Sequence, residues 1–199
     1  MRLVKSASLI AFLLVSLSVH SFTGKTTLQV NREYGGIHTV AVPHEFSLSY
    51  DEKSTHVVYP DKLNDTSSYF KLQFVNEANE LKENMTLKYV KIANIDEAAR
   101  LIEAKRVLID QLNSISTAQL IGTDEIKIGH YKGVIVNAQN GPYYLALIAI
   151  LNPNSQHCIM ALINVDPKFS DVKNIDDFGN YIATPFHVLG TFSFGRELM

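Results

Sequence analysis

The sequence predicts an α+β fold with a central antiparallel β-sheet covered by helices on both faces, an α-β-α sandwich. Three observations carry this prediction. Short turns join successive strand patterns in the second half of the chain, as expected of antiparallel neighbours. Two of those strands, at 143–151 and 156–165, are apolar at nearly every position, which indicates burial on both faces. Helix patterns at 95–113 and 174–183 then supply one cover for each face.

The first half of the chain predicts strands separated by polar loops. Most of these strands alternate apolar and polar side chains, which is typical of half-buried strands. The strand patterns lie at 37–42, 45–50, 56–59, 69–75 and 87–93. Residues 61–68 predict a loop, and the polar stretch 76–84 predicts a loop or a short helical turn.

The strongest helix pattern covers residues 95–113. Asn94 is the predicted N-cap, with Glu97 three residues later as its capping-box partner. Apolar residues at helical spacing form the predicted buried stripe. They are Ile95, Ala98, Ala99, Ile102, Ile109 and Leu112. This stripe is expected to pack on the sheet.

The second half of the chain predicts a meander. Its strand patterns lie at 124–129, 134–139, 143–151 and 156–165. Asn140-Gly141-Pro142 and the stretch 152–155 are strong turn signals between them.

The C-terminal region predicts a helix at about 174–183 and a last short strand. The apolar residues expected to point inward from that helix are Ile175, Phe178, Tyr181 and Ile182. Pro185 is expected to end the helix or to start a second short piece. Phe192 and Phe194 alternate as they would in a strand.

Residues 1–21 predict an export signal. Arg2 and Lys5 precede an uncharged apolar run at 8–19, and a small residue stands at the expected cleavage point. The run of about 12 residues is shorter than the roughly 20 that a bilayer span needs. The prediction is therefore a cleaved signal, a single domain at 22–199 and a secreted or periplasmic protein. The alternatives are an uncleaved membrane anchor, which would be the only membrane contact, and a buried N-terminal helix.

Composition and charge exclude several classes of protein. The chain has 199 residues and a formal net charge of −2, which argues against a nucleic-acid partner. Its one cysteine, Cys158, excludes an internal disulfide. Because Cys158 lies in an apolar strand pattern, it is predicted to be a buried thiol and not a nucleophile.

Two segments resemble a known family. Residues 42–50 (VPHEFSLSY) are similar to the opening strand of the PsbP/Mog-like superfamily, which includes bacterial DcrB-type exported proteins. Residues 186–194 (FHVLGTFSF) are similar to that family's closing helix-to-strand segment. The resemblance spans about residues 40–195 and implies an α-β-α sandwich. It implies no chemistry, because members mostly bind or stabilise partner proteins.

The sequence predicts no catalytic, cofactor or metal site. Gly24-Lys25-Thr26 lacks the earlier glycine of a phosphate-binding loop. The seven histidines show no zinc-ligand spacing, and the acidic stretch 166–177 lacks the pattern of a calcium loop. Four aromatic residues flank turns or strand starts, and several on one exposed face would mark a protein-binding patch. They are Tyr69, Phe70, Tyr143 and Tyr144.

These observations favour an exported, non-enzymatic binding or accessory protein with an unknown protein partner. A carrier of a small apolar ligand or lipid is the first alternative, since the apolar sheet could enclose a cavity. A hydrolase whose residues meet only in the folded chain is the second, so the question of enzymatic activity stays open.

Overall fold

The computed structural model describes eight segments of the chain. They are residues 20–22, 25–27, 37–42, 46–51, 53–58, 68–93, 96–168 and 184–195. The helix predicted at 174–183 lies outside these segments, as does nearly all of the predicted signal at 1–21. No described helix is long and apolar enough to cross a membrane.

The described residues form twelve strands and two helices. The strands are β1 His20–Phe22, β2 Lys25–Thr27, β3 Ile37–Val42, β4 Phe46–Asp51, β5 Thr55–Val58, β6 Ser68–Val75, β7 Leu81–Lys91, β8 Ala118–Ile128, β9 Tyr131–Asn140, β10 Tyr143–Leu151, β11 His157–Val165 and β12 Ser193–Phe194. The helices are α1 Glu97–Asn113 and α2 Thr184–Gly190. The strands predicted around 134–139, 143–151 and 156–165 are confirmed.

The main sheet has seven strands in the order β5-β6-β7-β11-β10-β9-β8, and every neighbouring pair is antiparallel. The predicted antiparallel sheet is therefore confirmed. Helix α1 carries the chain from β7, near the middle of the sheet, to β8 at one end. The other described strands form the hairpin β1-β2 and a three-stranded sheet, β12-β4-β3.

Helix α1 covers one face of the main sheet, but its buried side differs from the predicted one. The buried residues are Arg100, Leu101, Ala104, Leu108 and Leu112. Ile102, which was expected to be buried, is 72% exposed. The N-cap is Asp96, whose side chain accepts a hydrogen bond from the backbone N–H of Ala99, so the predicted cap at Asn94 is wrong by two residues.

Strand β10 confirms the prediction of burial on both faces. Leu145, Leu147 and Ala149 pack with α1 on one side of the sheet. Ala146 and Ile148 belong to the apolar layer on the other side. A strand covered on both faces has no polar side to present to water, which explains its uninterrupted apolar sequence.

The second face of the main sheet corrects the predicted α-β-α sandwich. The described residues that cover it come mainly from the three-stranded sheet, joined by the seven-residue α2. Phe46, Leu48 and Tyr50 alternate inward along β4, and Phe46 stacks on Phe192 with ring centroids 5.4 Å apart. Because β4 presents a complete apolar face of its own, a sheet packs on the sheet here, and the described residues do not form a second helical layer.

Strands β7 and β8 each begin six residues before the predicted start. Strand β7 begins at Leu81, so the loop expected at 76–84 ends four residues early. Strand β8 begins at Ala118, six residues before the predicted start. The added part of β8 contains a register shift between Leu120 and Gly122, which places Ile121 in a β-bulge.

Candidate functional site

Strand β8 forms an accessible edge of the main sheet. It is eleven residues long, and β9 is the only described strand that pairs with it. Every β8 residue except Ile128 is at least partly exposed. An edge strand presents backbone N–H and C=O groups that can pair with another chain, and proteins usually protect such edges with charges or bulges.

The first half of β8 lacks that charged protection. Residues 118–123 contain no charged side chain, and Leu120 and Ile121 are 51% and 38% exposed. Tyr143, at the start of β10, is 40% exposed.

The strand register places part of this apolar surface on one face. Ala118 opposes Asn140, which opposes Tyr143, and two rows away Leu120 opposes Ala138, which packs with α1. Residues directly opposite one another share a face of a sheet, so Leu120 and Tyr143 both lie on the α1 side. Ala118, Leu120, Ile121 and Tyr143 are called the apolar end of β8 below.

The second half of β8 is charged and borders a shallow depression of about 160 Å³. The depression is lined by Leu101, Glu125, Ile126, Lys127, Lys132 and Gly133. Lys132 donates a hydrogen bond to Glu97, and this bond together with the Glu97 charge raises the pKa of Lys132. Sites for drug-sized ligands usually exceed roughly 300 Å³, so this depression does not support the carrier alternative.

The part of the main sheet beyond α1 is polar. Half-buried polar side chains of β6, β7 and β11 line it on the α1 side. They are Lys71, Gln73, Asn84, Thr86, Lys88 and Asn164. Gln73, Asn84 and Asn164 form one row across three strands. This composition is typical of a solvated sheet face.

Cys158 is buried beneath α1, as the sequence predicts. Burial raises the pKa of its thiol to about 12, while the Arg100 charge acts in the opposite direction. A thiol with a raised pKa is a poor nucleophile at neutral pH, because the thiolate is the reactive form. The geometry therefore gives Cys158 a packing role.

The protein is expected to lose stability at high pH because of Cys158. Its thiol ionises near its ordinary pKa of 9.0 in the unfolded chain but only near 12 in the folded one. The free energy of unfolding therefore keeps its full value below pH 9. Between pH 9 and about 12 it falls by up to about 1.4 kcal/mol per pH unit, because the thiol loses its proton only in the unfolded chain there. Urea denaturation of wild type and Cys158→Ala between pH 8 and 11 measures this fall in the free energy of unfolding. Parallel pH profiles of the two proteins would contradict this account.

The remaining candidate residues do not come together. His56 Nε2 lies 3.0 Å from Asn79 Oδ1, His130 packs beside Tyr131, and His187 is exposed on α2. The side chains of His38, His44 and His157 lie outside the described residues, as does most of the stretch 166–177. The described side chains contain no group of three His, Cys, Asp or Glu residues placed to hold a metal ion.

Of the four aromatic residues considered for an exposed patch, only Tyr143 is exposed among those whose side chains are described. Phe70 and Tyr144 are buried in the layer between the two sheets, and Tyr143 is exposed. The side chain of Tyr69 lies outside the described residues. Tyr143 therefore belongs to the apolar end of β8, whose other members, Ala118, Leu120 and Ile121, do not stand out in the sequence.

No family model matches the chain, and no curated protein matches it in sequence. Among solved structures, it is similar to a protein of Bacteroides thetaiotaomicron with 15% identity and a TM-score of 0.45, over 80% of this chain and 48% of that one. This chain thus spans about half the length of the Bacteroides protein.

Two other solved structures are similar. The Ran-binding protein Mog1p of Saccharomyces cerevisiae has 8% identity and a TM-score of 0.49, over 79% of this chain and 94% of Mog1p. LpqN of Mycobacterium tuberculosis, which is involved in cell envelope biogenesis, has 14% identity and a TM-score of 0.42, over 80% of this chain and 91% of LpqN. At these values the likenesses assign neither a family nor a function to this chain.

Proposed function

We propose that this chain is an exported binding or accessory protein that engages a partner protein through the apolar end of β8. The export pattern of residues 1–21 supports the location. The observation that carries the contact site is the exposure of Leu120, Ile121 and Tyr143 at a charge-free end of an edge strand. Exposed apolar groups beside an open backbone edge are the features that strand-adding partners use.

The contact combines two kinds of interaction. An extended segment of the partner adds to the sheet through the backbone of β8, which supplies affinity independent of side chains. Leu120 and Tyr143 then provide apolar anchors on the α1 side, and tyrosine is among the residues that most often dominate binding energy. The bulge at Ile121 bends the strand, so the partner segment must follow a local change of direction.

Charge replacement at the apolar end tests this proposal. The tagged chain, produced through its own export signal, is used to capture proteins from the exported fraction of its source cells. The double variant Leu120→Lys/Ile121→Lys is expected to lose at least about tenfold of a specifically captured protein, because a buried lysine at an anchor costs more than 1.4 kcal/mol.

The matched control is Ile102→Lys, which also replaces an exposed isoleucine but lies on the outer side of α1. This control should capture as much partner as wild type. Equal capture by wild type and the double variant, with both folded by circular dichroism, would show that the apolar end of β8 is not the contact site.

A further inference from the structure

The charged half of β8 has a defined set of outward-facing backbone groups. Strands β8 and β9 are joined by the two-residue turn Gly129-His130, with Ile128 opposite Tyr131 and Gly129 at φ +59°. The residues that flank a two-residue turn form a hydrogen-bonded pair, and such pairs alternate along an antiparallel ladder. The backbone groups of Ile126 therefore point to β9, while those of Glu125 and Lys127 point out of the sheet.

The side chains of Glu125 and Lys127 are available at the same place. Both are exposed, and neither forms an ion pair with another described residue. They lie on the α1 side of the sheet, as does Lys132, which Lys127 opposes directly and whose charge is offset mainly by Glu97 and to a smaller extent by Glu125. This edge thus presents an acidic and a basic side chain, two residues apart, each beside backbone donors and acceptors that no other described strand pairs with.

The segment Glu125-Ile126-Lys127 is complementary in charge to a second, antiparallel copy of itself. When two copies of Glu125-Ile126-Lys127 run antiparallel about Ile126, each Glu125 opposes Lys127 of the other copy. Both of those positions have outward-facing backbone groups, so each can form a hydrogen-bonded pair across the interface. We propose that a second copy of this chain binds here and joins two seven-stranded sheets into one continuous sheet with two-fold symmetry.

Other symmetric registers are less favourable. An axis at Glu125 places two carboxylates opposite each other, and an axis at Lys127 does the same with two ammonium groups. Directly opposed like charges destabilise a strand pair. An axis at residue 124 pairs Glu125 with the uncharged Thr123, which leaves Lys127 facing the bulge. Of these registers, only the one about Ile126 places each Glu125 opposite Lys127 of the other copy, which gives two pairs of opposite charge.

This proposal is independent of the partner contact proposed above. It uses residues 124–128, whereas the partner contact uses the apolar end at the opposite end of the strand. Loss of one contact therefore leaves the other measurable: self-association is followed with the purified chain alone, and partner capture is followed in the exported fraction.

Charge exchange tests the second-copy interface and its register together. Sedimentation of the purified chain is measured over a concentration series that reaches the high micromolar range. Wild type is expected to show concentration-dependent dimerisation. Glu125→Lys and Lys127→Glu should each weaken it by at least about tenfold, because two favourable pairs become two repulsive ones.

The double variant Glu125→Lys/Lys127→Glu restores opposite charges at both pairs and should dimerise within about threefold of wild type, given the small energies of exposed pairs. An equimolar mixture of the two single variants should form heterodimers for the same reason. A wild type that stays monomeric throughout the series would overturn the proposal. A double variant as weak as the single ones would overturn the register about Ile126.

Discussion

Replacing Phe46 by alanine is expected to lower the free energy of unfolding by about 4 kcal/mol. Phe46 is 1% exposed and lies where the three-stranded sheet meets the main sheet. Its ring centroid is 5.4 Å from that of Phe192 and 5.9 Å from that of Phe70, so removal of the ring leaves a cavity and breaks two aromatic contacts. Urea denaturation followed by circular dichroism measures the loss.

Tyr143→Ala is the control for this prediction. It also removes an aromatic ring, but from an exposed position, and should change the free energy of unfolding by no more than about 0.5 kcal/mol. If Phe46→Ala were as mild as Tyr143→Ala, the two sheets would not share the apolar layer described above.

Replacing Gly133 by alanine is expected to cost about 3 kcal/mol. A Cβ atom at this position would lie 2.3 Å from the backbone oxygen of Ala149 on the neighbouring strand β10. The obstacle is backbone and not a flexible side chain, so strands β9 and β10 must separate locally. Their separation would disturb two strands whose side chains are mostly buried, and thermal unfolding should show a clearly lower midpoint.

Gly122→Ala provides the matched control on the adjacent strand β8. No atom lies within 4 Å of the Cβ that it adds, so the substitution should be neutral or slightly stabilising through the unfolded chain. A similar loss of stability in both variants would point to a general effect of glycine replacement and would contradict the close approach at Gly133.

Much of the main sheet could be predicted from the sequence because its central strands have a simple physical cause. Strand β10 is apolar at every position since both of its faces are covered, and the turn signal at Asn140-Gly141-Pro142 places its start. The two short alternating segments around Phe46 and Phe192 were also recognisable as strands.

The orientation of α1 could not be predicted because two apolar stripes overlap on it. Leu101 is followed by Ile102, and Leu108 by Ile109, so a shift of one residue, about 100° around the helix, gives a second plausible face. The buried stripe also contains Arg100, which a hydrophobic pattern does not select. Packing on the sheet decides between the two faces, and the sequence alone does not contain that contact.

The first residues of β7 and β8 could not be predicted because they depart from the alternation of apolar and polar residues that is typical of strands. In β7, Glu83 is almost fully buried. Charged residues are rarely buried, so the charged stretch Leu81–Asn84 has the sequence pattern of a loop although it is a strand. In β8, the bulge at Ile121 breaks the alternation between Ala118 and Thr123. Both are cases in which tertiary pairing outweighs the local pattern.

The candidate site was not predictable for a related reason. Leu120 and Ile121 form an exposed edge only because β11 pairs with β7, which leaves β8 at the end of the sheet. Strand order is a property of non-local pairing, and a strand with the same sequence in the interior of the sheet would be buried. Tyr143 was recognised as a candidate contact, but its neighbours were not.

Amide hydrogen exchange along β8, measured in dilute solution by NMR, tests most directly the claim that this strand is an open edge. The amides of Thr123, Glu125 and Lys127 are predicted to exchange at least about tenfold faster than those of Asp124 and Ile126, which face β9. Fast exchange in this alternating pattern would establish an edge that a partner or a second copy can occupy. Strong protection of all five amides at low concentration would show that another part of the chain already covers β8, and would contradict both proposals.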